Sequence, residues 1–435
     1  MDLNQQLMSF IKKAPTPFQT IEEISNILDS NGFIKLNENE KWINKSGKFY
    51  TIRNNSSIIA FTIPNEINDY HYQICSSHSD SPTFKIKNIS EIQGPKNYTK
   101  LNVEMYGGAI SYSWLDKPLT LAGRVLIKNG NQIKATNLFI DKDLLIIPSL
   151  PIHFNRDVNK GYEFNVQIDL CPILLCENEK SISLQSIIAN YLNIEKENIV
   201  SYDLFLVNRQ LPVLIGNDNE LLSAPRLDDL EASFVSLKSF IDSQNNNSIN
   251  VYACFDNEEV GSLTKQGANS TFLFDTLNRI NILLDKSNED FYNAISKSFN
   301  ISFDNAHALH PNRQEKYDVN NCCLLNKGIV IKENASQSYT TDAFSRAIFE
   351  QICDTANVPY QSFANRSDTR GGSTLGNLSN QHVSMHTVDI GLAQLAMHSS
   401  FETAGSKDTE YAYDAIKNYY SSNIIINNSD SFTIK

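Results

Sequence analysis

The fold is decided by residues 249–262, which read INVYACFDNEEVGS. The apolar run from Ile249 to Cys254 predicts a buried strand, and two adjacent carboxylates, Glu258 and Glu259, follow it in a Gly-bearing loop. Neighbouring side chains at a strand end point in different directions, so the two are expected to act separately. One would bind a metal and the other would transfer a proton, while a solvated acidic loop is the alternative.

The length and composition of the chain limit the number of domains and the classes of function that it can have. Its 435 residues exceed what one hydrophobic core usually spans, so two domains are expected. A net charge of −12 argues against a general nucleic-acid binder, which needs a basic surface. The seven cysteines follow no CxxC zinc pattern, and their odd number and irregular spacing predict the reduced thiols of a cytoplasmic protein. We expect no signal peptide and no membrane partner, since no apolar run is long enough to span a bilayer.

Strand-like and helix-like segments alternate in residues 1–88 and 223–435. Such alternation is typical of an α/β domain, so we predict a discontinuous catalytic domain with a mixed, largely parallel sheet sandwiched by helices. Residues 89–222 hold many short strand-like runs, among them 164–170, and predict an inserted, mostly β domain. The tail after residue 420 is too polar to assign.

Other ligand-type residues follow strand-like runs or open a helix. His78 ends one run, with Asp80 two residues later to hold its second ring nitrogen. Asp304 follows another run, and Asp228 opens a predicted helix. The alternatives are a structural histidine at 78 and, for Asp228, an acidic residue that interacts with the helix dipole. His398 follows an apolar run near the C-terminus, where a lone histidine is more often a buried core histidine than a ligand.

Together these positions provide two His, two Asp and one Glu, with a second Glu beside them. Mixed nitrogen and oxygen ligands suit zinc, manganese or cobalt. Five ligands with one bridging carboxylate are what two metals about 3.5–4 Å apart require. His307 and His310 lie close to Asp304, but hydrogen bonding is the preferred interpretation for both. The glycine-rich segment 371–376 lacks the lysine of a phosphate-binding loop.

Several motifs in this order resemble one known family. They are PTPF (15–18), HSDSP (78–82), YGG (106–108), LAGRV (121–125), APRLD (224–228), DNEEVGS (256–262), DNAHA (304–308), GST (372–374) and AMHS (396–399). The chain resembles the aspartyl aminopeptidases of the M18 metallopeptidase family from Ser9 to about Glu402. It departs from their pattern at 113–118 and 316–322, which bears on the fine substrate preference and on oligomer contacts.

The resemblance implies a two-metal exopeptidase, most simply with zinc, and with cobalt or manganese as alternatives. It implies that His78 and Asp304 hold one metal, that Glu259 and His398 hold the other, and that Asp228 bridges them. Glu258 would be the general base that takes a proton from the attacking water. Asp80 would orient His78.

Two further roles follow from the same resemblance. His153 would reach from the inserted domain into a neighbouring subunit's site and hydrogen-bond the developing oxyanion, and Lys332 would pair with the acidic side chain of the substrate. The alternative interpretation of Lys332 is a solvated lysine at a strand edge that has no role in the site. The inserted domain, 89–222, would form dimers that assemble into a tetrahedral homododecamer.

Two other functions remain open at this point. A broader aminopeptidase or a deacetylase-like enzyme would use the same metal pair on different substrates. A shell-forming or binding protein that has lost catalysis is a different class, and the intact set of ligands with Glu258 argues against it.

Overall fold

The apolar run from residue 249 forms the strand Ile249–Phe255, every residue of which is buried in a computed structural model of the chain. The structure describes residues 2–176, 182–369 and 371–435. This strand pairs in parallel with Tyr72–His78 and antiparallel with Ser57–Ile63. It therefore lies inside a sheet, as its continuous apolar character predicts.

The chain divides into two units. The first comprises Met1–Asp80, Pro212–Met397 and Glu402–Lys435, and the second comprises Ser81–Leu211 and His398–Phe401. The predicted assignment of catalysis to 1–88 with 223–435, and of oligomerisation to 89–222, stays a prediction.

A nine-stranded mixed sheet forms the centre of the first unit. Its strands, in spatial order, are Ile34–Lys35, Gly47–Arg53, Ser57–Ile63, Ile249–Phe255, Tyr72–His78, Phe299–Phe303, His386–Gly391, Ile329–Lys332 and Tyr360–Phe363. The four strands from Ile249–Phe255 to His386–Gly391 are mutually parallel. Their carboxyl ends therefore lie at one edge of the sheet.

Helices cover both faces of this sheet, since alternate strand residues enter different cores. Tyr252 and Cys254 belong to one core, and Val251 and Ala253 belong to the other. The first core is closed by the helices Leu3–Lys13, Pro17–Ser30, Leu227–Asp242, Ala343–Ala356 and Asp408–Ser421. The second is closed by Phe272–Leu283, Asn288–Ser296 and Leu375–Ser379. The α/β class, with a mixed, largely parallel sheet between helices, is confirmed.

Two smaller sheets complete the first unit. One has five strands in the order Val213–Ile215, Leu221–Ala224, Glu402–Gly405, Ala393–Leu395 and Ala306–His307. The other is the hairpin of Ile424–Asn427 with Ser431–Ile434. The unassigned tail therefore contains a hairpin, in which Ile424 and Ile426 are buried.

The second unit is mostly β. Its six-stranded sheet has the order Gln132–Phe139, Leu119–Asn129, Ile199–Asn208, Thr83–Gln93, Thr99–Tyr106 and Ile173–Leu175, and every neighbouring pair is antiparallel. The helices Val166–Asp169 and Leu184–Leu192 accompany it. The predicted strand at 164–170 is wrong, because the Asn165 side chain accepts hydrogen bonds from the N–H groups of Gln167 and Ile168 and so caps a short helix.

No helix within the described ranges is both long and apolar enough to cross a membrane. All seven cysteines are free thiols, and four of them, at positions 75, 254, 323 and 353, are buried in the first unit.

Candidate metal centre

The predicted ligands lie where the central parallel strands end. His78 is the last residue of Tyr72–His78, and its partner in register is Phe255. Asp304 directly follows Phe299–Phe303. Because the carboxyl ends of parallel strands meet at one edge, residues more than two hundred positions apart come together there.

The paired glutamates occupy a single helical turn, Glu258–Val260, that follows the central strand. Asn257 precedes this turn in a left-handed conformation, with φ of 64°. The Asp80 carboxylate accepts hydrogen bonds from the backbone N–H of Glu258 at 3.1 Å and of Glu259 at 3.2 Å. A buried aspartate thus fixes the backbone from which both glutamates project.

Asp228 and Asp229 interrupt the first turn of the helix Leu227–Asp242, where both have non-helical backbone angles. The carboxylate of Glu402 accepts from the backbone N–H of Asp228 at 3.1 Å. The backbone N–H of His78 donates to Oδ2 of Asp229 at 3.0 Å. These bonds hold two adjacent carboxylates beside the histidine.

Four buried side chains, His78, Asp228, Asp229 and Asp304, each offer an atom within 4.8 Å of the others. Nε2 of His78 lies 3.3 Å from Oδ1 of Asp228 and 3.8 Å from Oδ1 of Asp304. No hydrogen-bond donor in the described part of the chain reaches Oδ1 of Asp229, which is buried. One imidazole nitrogen among several carboxylates is a donor set for zinc, manganese or cobalt, so these residues fit a divalent cation.

His78 also forms a group of potential ligands with Glu258 and Glu259. Its Nδ1 lies 3.1 Å from the backbone oxygen of Asp80 and 3.4 Å from Oδ1 of the same residue. A proton on Nδ1 would be held by Asp80, which leaves Nε2 as the nitrogen that faces the carboxylates.

Burial, together with the crowding of carboxylates, raises the pKa values of several acids in this group. Burial raises the pKa of Glu258 to about 8, and the charges of Asp304, Asp80 and Asp228 contribute to this rise. Burial would lower the pKa of His78, but the surrounding carboxylates, Asp229 first among them, raise it well above its ordinary value. A divalent cation would oppose the rise at the carboxylates by favouring their charged form.

Lys332 ends the strand Ile329–Lys332 and is buried, with 2% of its surface exposed. Its Nζ donates to the backbone oxygen of Asp304 at 2.7 Å and to that of Asn305 at 3.3 Å. Nζ also lies 5.2 Å from the centre of the Tyr339 ring. This cation is therefore adjacent to a predicted metal ligand and is not a solvated surface lysine.

The other two predicted site residues belong to the second unit. His153 is exposed in a turn between Ile152 and Phe154, which are also exposed. Nδ1 of His398 lies 3.2 Å from the backbone oxygen of Gly108, and its own backbone oxygen accepts from Ile110 at 2.9 Å. The roles of both histidines in the site stay predictions.

The two histidines after Asp304 lie outside every group of potential ligands found in the described ranges. Nδ1 of His310 accepts from the backbone N–H of Asn312 at 3.2 Å. The ring of His307 packs edge-on against Phe363.

A family model described as "Aminopeptidase I zinc metalloprotease (M18)" matches residues 10–420. The chain belongs to the M18 family of zinc aminopeptidases. It is therefore a metal-dependent aminopeptidase, and the family's metal is zinc.

Curated relatives and a solved structure agree with this assignment. A protein of Clostridium novyi named "Probable M18 family aminopeptidase 2" is 46% identical, over 95% of this chain and 98% of its own. "Aspartyl aminopeptidase 1" of Schizosaccharomyces pombe is 35% identical, over 95% of this chain and 93% of its own. A solved structure described as "Structure of S. cerevesiae mApe1 dodecamer" superposes with a TM-score of 0.85 at 27% identity, over 96% of each chain.

Asp229 and Glu402 are absent from the site residues predicted from the sequence of this M18 aminopeptidase. Asp229 directly follows Asp228, and that adjacency was the only signal in the sequence. Glu402 is remote in sequence from Asp228, and only the fold brings its carboxylate to the Asp228 N–H.

Proposed function

We propose that this M18 aminopeptidase removes the N-terminal residue of peptides, preferably Asp or Glu, with two divalent cations in the candidate metal centre. The observation that carries the proposal is the buried group of His78, Asp228, Asp229 and Asp304 at the carboxyl edge of the parallel strands. A cluster of buried acids costs free energy unless cations compensate it. A relative named for aspartyl specificity supports the substrate class.

We assign the ligands as follows. His78 and Asp304 would hold one cation, Glu259 and His398 would hold the other, and Asp228 would bridge them. Both cations are zinc, with cobalt and manganese as the alternatives. The short distances from Nε2 of His78 to the oxygens of Asp228 and Asp304 support the first half of this assignment.

The bound cations would polarise the scissile carbonyl and lower the pKa of the attacking water. The Glu258 carboxylate takes the proton from that water and delivers it to the leaving amine. Asp80 keeps Glu258 and Glu259 in place through its two backbone hydrogen bonds, and it orients His78 from the Nδ1 side.

Substrate recognition is assigned to Lys332 and His153. An ammonium has three N–H donors, and two carbonyl oxygens accept from Lys332; the third donor, with Oδ2 of Asp304 at 3.8 Å from Nζ, is the one proposed to bind the substrate's carboxylate. His153 comes from a neighbouring subunit and donates a hydrogen bond to the developing oxyanion. Its exposure in the second unit is compatible with that role.

Broader specificity is the second candidate function. It is favoured by the burial of Lys332 and by its bonds to Asp304 and Asn305, which would weaken its attraction for a substrate carboxylate. The two candidates differ in the ratio of kcat/KM for acidic and neutral N-terminal residues.

We further propose that the aminopeptidase acts as a homododecamer built from dimers, since the structural relative from S. cerevesiae is described as a dodecamer. The exposed apolar side chains around His153, which include Ile152 and Phe154, support a subunit contact in this segment. The free cysteines support action in the cytoplasm.

Purified protein should hydrolyse the anilides of Asp and Glu faster than that of Leu. A chelator should abolish turnover, and zinc, manganese or cobalt should restore it. No turnover with any of the three metals contradicts the proposed enzyme, and equal rates on Asp and Leu favour broader specificity.

A further inference from the structure

A buried carboxylate outside the metal cluster connects two loops beside Lys332. Asp389 lies in the strand His386–Gly391, is fully buried and pairs in register with Ser302, two residues before Asp304. Its carboxylate accepts three hydrogen bonds, two from Thr340 and one from the Thr374 hydroxyl. A buried carboxylate of this kind depends on its hydrogen bonds, which here are all short.

The first loop connects Ile329–Lys332 to the helix Ala343–Ala356. Oδ2 of Asp389 accepts from the backbone N–H of Thr340 at 2.5 Å and from its hydroxyl at 2.6 Å. The backbone N–H of Asp389 donates to the Thr341 hydroxyl at 2.9 Å. Both donors of Thr340 are therefore held by one carboxylate oxygen.

The second loop connects Tyr360–Phe363 to the helix Leu375–Ser379. Its last residue, Thr374, donates its hydroxyl to Oδ1 of Asp389 at 2.5 Å. The next glycine, Gly376, touches the first loop, since a Cβ there would lie 2.9 Å from Oγ1 of Thr340. One carboxylate thus joins the ends of two loops that pack against each other.

The first loop carries a group that lies beside Lys332, and the second loop lines a cavity close to Asp304. Thr340 directly follows Tyr339, whose ring lies beside the Lys332 ammonium and is 4% exposed. Gly371 and Gly372 of the second loop line a cavity of about 220 Å³ with His307, three residues after Asp304. Burial would lower the pKa of Lys332, but nearby charges, with Asp304 first and Asp389 among them, raise it.

We propose that Asp389 is a positioning residue that fixes the Tyr339 loop beside Lys332, together with the second loop that packs against it, and thereby sets the preference for acidic N-terminal residues. This inference rests on the proposed function, in which Lys332 pairs with the acidic side chain. Asp389 acts through Thr340 and Thr374 and does not touch the substrate.

The test compares Asp389→Asn with the wild type on the anilides of Asp and Leu. An amide can still bond both loops, because its oxygen can accept from Thr340 and its NH2 group can donate to the Thr374 hydroxyl, but it removes the negative charge that strengthens these bonds and that lies near Lys332. We expect KM for the Asp substrate to rise about 10-fold, with a similar fall in the Asp-to-Leu ratio of kcat/KM, as the change from charge-assisted to neutral hydrogen bonds implies. Values of kcat/KM for Leu should change less than threefold.

Variants of the hydrogen-bond partner separate this role from a loss of folding. Thr374→Val removes the hydroxyl and should lower the Asp-to-Leu ratio, while Thr374→Ser keeps the hydroxyl and should preserve it. If circular dichroism shows that Asp389→Asn does not fold, the comparison of Thr374→Val with Thr374→Ser decides the test. An unchanged ratio in folded Asp389→Asn or in Thr374→Val overturns the inference, and so does an equal fall for both substrates. If the wild type itself shows no preference for Asp, the proposed function fails together with this inference.

Discussion

Replacing Asp80 by Asn tests how the paired glutamates are positioned. The carboxylate of Asp80 accepts from the N–H groups of Glu258 and Glu259, and its Oδ1 lies 3.4 Å from Nδ1 of His78. An amide has only one acceptor oxygen, so one of the two N–H groups would face an NH2 group. The loss of one buried, charge-assisted hydrogen bond costs about 1.5–3 kcal/mol. If the cost falls on the transition state, kcat/KM decreases about 10- to 150-fold.

The assay is the hydrolysis of an Asp anilide at saturating zinc, with urea unfolding measured in parallel. Asp408→Asn is the matched control, because Asp408 is also buried and accepts two backbone N–H groups, from Asn326 at 2.6 Å and Gly328 at 2.9 Å. Asp408 lies outside the groups of potential ligands, so its variant should keep kcat/KM within about threefold of the wild type. The reasoning is refuted if Asp80→Asn is as active as the wild type, or if both variants lose activity equally.

Three further predictions concern single residues. Glu258→Gln should keep its zinc, as measured by atomic emission, but lose kcat by about 10³-fold or more, since it removes the proposed base; loss of zinc would indicate that the roles of the paired glutamates are exchanged. Lys332→Ala should lower kcat/KM for Asp anilide at least about 10-fold more than for Leu anilide, and an equal effect on both would contradict the assigned pairing. Burial raises the pKa of Asp408 to about 6, so the native state keeps a proton that the unfolded chain releases from about pH 4 upward. The contribution of Asp408 to the free energy of unfolding therefore falls as the pH rises from about 4 to 6. When this free energy is measured by urea unfolding at several pH values, Asp408→Asn should show a smaller decrease over that range than the wild type. An equal decrease in both proteins would contradict this.

The central sheet could be predicted because its pattern is local. An apolar run such as Ile249–Phe255 that ends on polar residues identifies a buried strand and the edge at which it stops. Because ligand-type residues followed several such runs, the sequence also indicated that His78, Asp304 and the glutamates would meet. The helix Asn288–Ser296 was not assigned, although its capping box of Ser287 with Asp290 is a readable signal.

The remaining features depend on contacts that the sequence does not encode locally. The short helix Val166–Asp169 replaces a predicted strand because a single Asn165 side chain caps it. The burial of Lys332 follows from its bonds to Asp304 and Asn305, which belong to another strand end. The position of Asp228 likewise depends on its hydrogen bond to Glu402, 174 residues away in the sequence.

The most direct test of the two-metal site is a crystal structure of the zinc-loaded enzyme with anomalous data at the zinc edge. We predict two peaks about 3.5–4 Å apart, with Asp228 between them. One peak would contact His78 and Asp304, and the other would contact Glu259 and His398. A single peak, or peaks remote from Asp228, would contradict the proposed centre.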